Sequence, residues 1–386
     1  MKEVYIVSAA RTAQGSFGGA LASVSATQLG STAIAGALKK AGIDGKDVGE
    51  VFMGNVVSAN LGQAPARQAA LGAGIGIHTP CTTVNKVCAS GMKAIMLAAQ
   101  SIMLGDNEVA VAGGMESMSN IPFYLDKARF KGYGYGDGKF IDGLSKDGLS
   151  DAYDHCAMGI CGDMTAEESK ISRQEQDEYA ILSYKRAAAA WEAGNFDDEI
   201  VPVEIPQRRG EPVIFDHDEE YKKVKFEKIP SLRAIFTKDG TVTAANASTI
   251  NDGASALVLM SGEKVKELGL KPIAKIRGFA DAAHEPLKFA TAPVKAAPLA
   301  LKRAGLTKDD IDFFEVNEAF AVVPLAFNKA LDIPVEKVNV WGGGVSIGHP
   351  LGNTGSRIVT TLTSVLTKYG QCCFCEFGSS TCSSSG

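Results

Sequence analysis

Apolar and polar positions along the chain alternate between two periods, and the switch between them outlines the fold. The chain opens on a strand-like run, Val4-Tyr5-Ile6-Val7, and then passes into helical spacing. Ala37-Leu38-Lys39-Lys40-Ala41-Gly42-Ile43 reads as the end of an amphipathic helix with a Gly stop. The same heptapeptide pattern returns 263 residues later as Ala300-Leu301-Lys302-Arg303-Ala304-Gly305-Leu306. Asp47-Val48 and Asp310-Ile311 extend the match, and an apolar strand follows each copy, over 50–57 and 313–316. A helix, a Gly stop, a short loop and a buried strand, given twice, predict a duplicated layered α/β fold. Any helix can end in Leu-Lys-Lys-Ala-Gly; the extension through the next strand argues for duplication.

Between the copies, from about 120 to 250, the texture is more polar. It contains Gly132-Tyr133-Gly134-Tyr135-Gly136 and a long helical stretch over 174–192. This reads as an insertion on the first half, of the kind that supplies substrate-binding surface over a rigid scaffold. The resulting division is 1–120 for the first half, 121–250 for the inserted loop domain, 251–270 for the end of that half and a linker, and 271–386 for the second half.

The same offset carries Cys88 to position 351, two residues from His349. Each lies after an apolar stretch (82–87 and 338–341, read as strands) and before a helix (90–103 and 354–366). Strand-to-helix turns are where α/β folds collect ligands and catalytic groups. At a helix N-terminus Cys88 meets partial positive charge, which favours thiolate. Ala89, Ser90 and Gly91 leave room for a bulky thioester, although most free cysteines are buried structural ones. His349, flanked by Gly348 and Pro350, is a base or donor facing a cavity, or else a turn histidine. Asn317 ends the second copy's strand, as an oxyanion donor or as a helix N-cap.

Composition narrows the classes. A chain of 386 residues with 45% hydrophobic and 22% charged positions and a net charge of −5 has the profile of an ordinary globular protein. That charge does not favour nucleic acid or an anionic membrane as partner. No run of about eighteen uninterrupted apolar residues is present, and the start lacks a secretory or transit pattern. An intracellular location, cytoplasmic or mitochondrial matrix, is expected. Eight cysteines without a secretory signal do not imply a disulfide framework. Cys372 and Cys375 have C-x-x-C spacing but no second pair to complete a zinc site.

Four motifs taken together resemble the thiolase family, in the family's order. They are residues 84–92 around Cys88, Gly113-Gly114-Met115-Glu116-Ser117-Met118-Ser119, Asn317-Glu318-Ala319-Phe320, and residues 342–350. The resemblance implies a thiolase fold, two duplicated βαβαβ halves in five α/β/α/β/α layers with an inserted loop domain. It further implies that Cys88 accepts the acyl group, that His349 activates it, and that His349 and Asn317 stabilise the enolate oxygen. Cys375 falls at the position of the acid/base that removes the α-proton. Met158, after Ala157, and Phe289-Ala290 within residues 281–290 are most similar to the potassium-dependent acetoacetyl-CoA thiolases of mitochondria. In that subgroup the potassium ligands map onto Tyr184, Ala244, Ala245, Ala247 and Val345. Contacts to acyl-CoA map onto Tyr184, Lys223, Lys228, Ser248, Leu149, Met158, Ala319, Phe320 and Phe289. The two lysines read equally as a solvated charge run.

The implied reaction is the reversible condensation of two acetyl-CoA to acetoacetyl-CoA and CoA. No cofactor is implied beyond CoA as substrate, apart from K+, and a homotetramer, a dimer of dimers, is the implied assembly. The tail after Gly370 departs from the family, with Phe377 where Gly is expected and Ser, Thr and Gly in place of a final apolar strand. That departure keeps open an acyl-CoA-binding protein with impaired turnover. A ketoacyl synthase is the other relative by fold, but no second His stands in a matching loop.

Overall fold

Eleven consecutive residues, Asn251–Ser261, are buried without exception, as expected for a strand covered on both faces. In the computed structural model, which describes residues 1–130, 132–369 and the backbone of 373–376, this strand is the centre of a seven-stranded sheet. The strands that matter below are β1 (Val4–Arg11), β2 (Glu50–Gly54), β3 (Cys81–Val84), β4 (Val109–Ser117), β5 (Asn251–Ser261) and β6 (Ala274–Lys275). Their order is β6-β1-β5-β4-β2-β3, with Gly15–Ser16 pairing onto the start of β5. β5 runs antiparallel to both β1 and β4, whereas β2 is parallel to β3 and β4. The chain between β4 and β5 leaves the sheet at Ser117 and re-enters beside its own exit at Asn251.

The helices that matter below are α1 (Ala26–Ala41), α2 (Pro65–Gly72), α3 (Ser90–Leu104), α4 (Met158–Ser169), α5 (Arg173–Glu192), α6 (Ala292–Ala304), α7 (Val322–Leu331) and α8 (Leu351–Tyr369). The sequence echo has a structural cause. α1 ends at Gly42 with φ 67° and α6 at Gly305 with φ 70°, left-handed stops that cost a residue with Cβ more. α1 and α2 cover one face of the sheet with Leu29, Ile34 and Ala69 against Val51, Val111 and Val258. α3 and α8 cover the other with Ile95, Ala98, Ile102 and Ile358 against Ala110, Ala112 and Leu257. Beyond α8 lies a second sheet, where β7 (Phe313–Val316) pairs in parallel with β8 (Cys373–Glu376). α6 and α7 close that side around Phe314, Val316 and Phe327. Helix, sheet, helix, sheet and helix layers follow one another, the arrangement expected from the sequence.

Three expected strands stop short, and the one over 50–57 ends at Gly54. Residues 338–341 do not form one, because only Val338 bridges Phe314 and Asn339 then turns at φ 50°. The Asn339 side chain replaces the missing strand neighbour: its Oδ1 accepts from Val316 N–H at 2.8 Å and its Nδ2 donates to Val316 C=O at 2.9 Å. Both backbone groups of Val316 are thereby satisfied without a ladder. The strand expected over 82–87 ends at Val84, where Asn85, Lys86 and Val87 turn into α3. Residues 87–104 have the length and mean hydropathy (1.5) of a membrane span. Their helix is the packed middle layer between β4 and α8, which accounts for that composition.

The two middle helices meet backbone to backbone at their first turns. A Cβ on Gly91 of α3 would lie 2.6 Å from the Ser356 amide nitrogen of α8, and one on Gly355 would lie 2.4 Å from that of Met92. Backbone cannot yield as a flexible side chain can, so Gly91→Ala should destabilise by about 1–3 kcal/mol, overriding the gain in helix propensity. Chemical denaturation checks this; a variant as stable as the parent would show that the helices separate without cost.

Candidate active site

Because those first turns touch, the residues just before them are brought together. Cys88 and His349 each stand two positions ahead of their helices, and both line one cleft of about 710 Å3. Asn317 joins them from the end of β7, with Leu149, Met158, Ser248, Phe289, Ala319 and Phe320 on the walls. The sequence had not pointed to Pro293, Val323 or Leu351, which complete the apolar lining. Asn317 does not cap a helix: α7 begins at Val322 with Ala321 before it, which leaves the amide to the cleft.

Cys88 is held by a strained turn. Val87 has φ 47°, rare for a β-branched residue, and it is over-determined by its neighbours. Its N–H donates to Asn85 Oδ1 at 3.0 Å, and its C=O accepts from Ser90 Oγ at 2.6 Å. Ser90 Oγ in turn accepts from Lys86 N–H at 2.8 Å. His349 is fixed at two points. Its N–H donates to Asn251 Oδ1 at 3.0 Å, and its Nδ1 lies 2.7 Å from Thr354 Oγ1. Thr354 spends its one proton on Pro350 C=O at 2.8 Å, so its oxygen accepts from Nδ1–H. The network therefore assigns the tautomer with the lone pair on Nε2.

A second cleft, of about 1380 Å3, shares Leu149, Met158, Ser248, Phe320, His349 and Leu351 with the first and opens outward past Lys223, Ala244 and Ala247. The two clefts are continuous through these shared residues, from Cys88 in the first to Lys223 in the second. Lys223 lies on this path, beside Ser16 Oγ. Lys228 is exposed on the turn Phe226–Ser231 and lines neither cleft. Tyr184 is buried against Val345 and the edge of Phe226, also away from both. Cys375 has its backbone in β8 opposite Glu315, two residues before Asn317. Its side chain, together with Cys372 and Phe377, lies outside the described residues.

Residues 4–263 match the family described as thiolase, N-terminal domain, and residues 270–385 the one described as thiolase, C-terminal domain. The chain belongs to the thiolase family. It is 58% identical over 381 residues to an acetyl-CoA acetyltransferase of Schizosaccharomyces pombe, covering 97% of this chain and 96% of that one. A mitochondrial acetyl-CoA acetyltransferase of Homo sapiens is 54% identical over 381 residues, covering 98% and 88%. The fold matches the crystal structure of Acat5 thiolase from Ascaris suum in complex with coenzyme A, with a TM-score of 0.91 and 45% identity over 95% and 94% of the two chains.

This thiolase surrounds its cleft with groups that burial keeps neutral. Burial pushes the Cys88 thiol up to about 12; its own backbone N–H opposes this and the Glu116 charge adds to it. Loss of water at the partly exposed Cys88 therefore works against the helix dipole, which favours the thiolate. Burial, with the charge of Arg357 behind it, brings His349 down to about 3. At neutral pH both are therefore uncharged.

The expected potassium ligands fit a hard cation by chemistry. Among the described residues no donor reaches the carbonyl oxygens of Ala244, Ala245, Ala247 or Val345. Their segments are drawn toward α5, the first by Asn246 Nδ2 donating to Asp177 at 2.9 Å. Glu318 does the same for the segment of Val345, accepting from Val345 N–H at 3.1 Å and from Ser183 Oγ at 2.7 Å. Ala244 is the one exposed member of the set.

The ultraviolet thiolate absorbance assigned to Cys88, taken as parent minus Cys88→Ser, should stay flat between about pH 6 and 9. A thiolate signal already complete at neutral pH would show the helix terminus prevailing over burial.

Proposed function

We propose that this chain transfers an acetyl group between CoA thioesters, condensing two acetyl-CoA to acetoacetyl-CoA and CoA and running the reverse thiolysis. The observation that carries the reading is the convergence of Cys88, His349 and Asn317 on one apolar cleft in a thiolase. In the first half-reaction Cys88 Sγ forms a bond to the acetyl carbonyl carbon as the bond to CoA sulfur breaks. His349 Nε2 takes the thiol proton and keeps it, and CoA leaves as the thiolate and is protonated from solvent. A second acetyl-CoA then enters. The proton on its α-carbon goes to Cys375, and the developing enolate oxygen is met by His349 and Asn317. The α-carbon attacks the acetyl carbon as the bond to Cys88 Sγ breaks; Cys88 recovers its proton from His349 Nε2, and Cys375 releases the α-proton to solvent.

An apolar wall suits this chemistry, since it excludes the water that would hydrolyse the acyl-enzyme. Met158 and Phe289 bound the acyl end; Leu149, Ala319 and Phe320 bound the path; Ser248 and Lys223 face the CoA arm. Tyr184 and Lys228 belong to this proposal only as supports behind the path. Potassium would be held by the carbonyls of Ala244, Ala245, Ala247 and Val345 with Tyr184, and would supply a fixed positive charge tying three segments together. We read residues 1–120, 121–250, 251–270 and 271–386 as first half, loop domain, end of the first half with linker, and second half. We also read the chain as one subunit of a homotetramer. The exposed apolar side chains of Phe123, Leu125, Phe130, Tyr135 and Phe140, gathered in one segment, support that assembly. The cytoplasm or the mitochondrial matrix is the proposed compartment.

Incubation with acetyl-CoA and peptide mass mapping should place an acetyl group on Cys88; label confined to Cys81 or Cys375 would contradict the assignment. His349→Ala should lower turnover about a hundred- to ten-thousand-fold with little change in thermal midpoint. A matching collapse of stability would mark the histidine as structural. Cys375→Ser should leave acetylation of Cys88 intact while abolishing condensation. Unchanged condensation would mean another group takes the α-proton, and acetylation without turnover in the parent would favour the acyl-CoA-binding reading.

A further inference from the structure

Glu116 is wholly buried, yet all four of its hydrogen-bond partners are donors. Oε1 accepts from Asn55 Nδ2 at 3.0 Å and from Val57 N–H at 3.1 Å. Oε2 accepts from Val56 N–H at 2.9 Å and from Gly352 N–H at 2.8 Å. Two donors on each oxygen is what an ionised carboxylate accommodates and a carboxylic acid does not; burial pushes the carboxyl up to about 7, and the N–H groups of Val56, Val57 and Gly352 pull it back toward the ionised form. The carboxylate is also hemmed in: a Cβ on Gly352 would lie 2.7 Å from Oε2.

The partners lead in two directions. Gly352 is in the first turn of α8, three residues after His349. On the other side Val56 C=O accepts from Asn85 Nδ2 at 3.0 Å, and Asn85 Oδ1 holds the N–H of Val87, the strained residue before Cys88. An unbroken series of hydrogen bonds thus runs from the nucleophile's turn to the histidine's helix, Val87 to Asn85 to Val56 to Glu116 to Gly352. Neither Glu116 nor Asn85 lines the cleft, so neither touches substrate.

We infer that Glu116, acting through Asn85 and Gly352, is a positioning residue that sets the distance and angle between Cys88 and His349 for acyl transfer. The inference rests on the reading of Cys88 as the acylated residue. The bracket is charged and saturated because a strained turn and a helix end must hold to a fraction of an ångström; misplacement by 1 Å costs about a hundredfold in rate. Helix-end donation to a carboxylate adds a favourable dipole interaction at Gly352.

The test is single-turnover acetylation of Cys88 at saturating acetyl-CoA, with KM and thermal midpoint measured in parallel. Glu116→Gln keeps the shape but turns an amide N–H2 toward backbone N–H groups. It should slow acetylation about ten- to a hundredfold with KM nearly unchanged. Asn85→Ala should slow the same step, and the double variant should be no slower than the worse single one, since both break one series. A Glu116→Gln enzyme with a lower midpoint but a parental acetylation rate would overturn the inference, as would additive effects. If that variant does not fold, Asn85→Ala decides alone, and a parental rate there is equally fatal. A parent that never acetylates on Cys88 overturns the underlying reading and the inference together, and is recognised without any variant.

Discussion

The close approach of two helix N-termini is the constraint on which the site depends. α3 comes from the first copy of the repeat and α8 from the second, and each carries its functional residue two positions upstream. Only glycine at 91 and 355 lets the backbones touch, and that contact is what turns Cys88 and His349, far apart in sequence, into neighbours on one cleft. Two helix N-termini aimed at the same spot would be expected to attract negative charge. Glu116, which accepts from both turns, fills that place and joins them by hydrogen bonds. Packing therefore brings the pair together and a buried carboxylate fixes their relative pose.

Electrostatics in this centre follow from dryness. Cys88 is only partly exposed, and apolar neighbours such as Val87, Met158 and Leu351 limit water around it, which pushes the thiol up against the helix dipole. Neutrality suits a two-step transfer. An imidazole held uncharged accepts the thiol proton when sulfur attacks, and as a donor it then faces the oxygen on which charge develops. Elsewhere in the core the same physics is handled by pairing. Arg11 is fully buried but meets Glu199 and Asp218, the latter at 2.8 and 3.0 Å, and so fastens the inserted segment to the first strand.

Much of this was legible in the sequence, for identifiable reasons. The helix-Gly-strand echo carries the same left-handed stop at Gly42 and Gly305, so the duplication could be read directly. Carrying that offset to Cys88 pointed to the turn of His349 because both turns feed equivalent helices. What could not be read was substitution of one kind of partner for another. At Asn339 a side-chain amide does the work of a strand, which no hydropathy pattern records. Glu116 stood inside a quoted motif without a role, since its partners are backbone groups at 56, 57 and 352, invisible as residue types. The dipole of α3 is local and readable, whereas the desolvation opposing it at Cys88 comes from residues contributed by both halves.

The account's central claim is that an acyl group rests on Cys88 between two substrates held in one dry cleft. A rapid-quench pulse–chase tests it most directly: isotopically labelled acetyl-CoA is mixed with enzyme, then chased with a large excess of unlabelled acetyl-CoA. Label should appear first on Cys88 and then move into the acetyl half of acetoacetyl-CoA distal to CoA, at a rate no slower than overall turnover. Labelled product formed without passage through Cys88, or an adduct on Cys88 that discharges more slowly than the enzyme turns over, would contradict it.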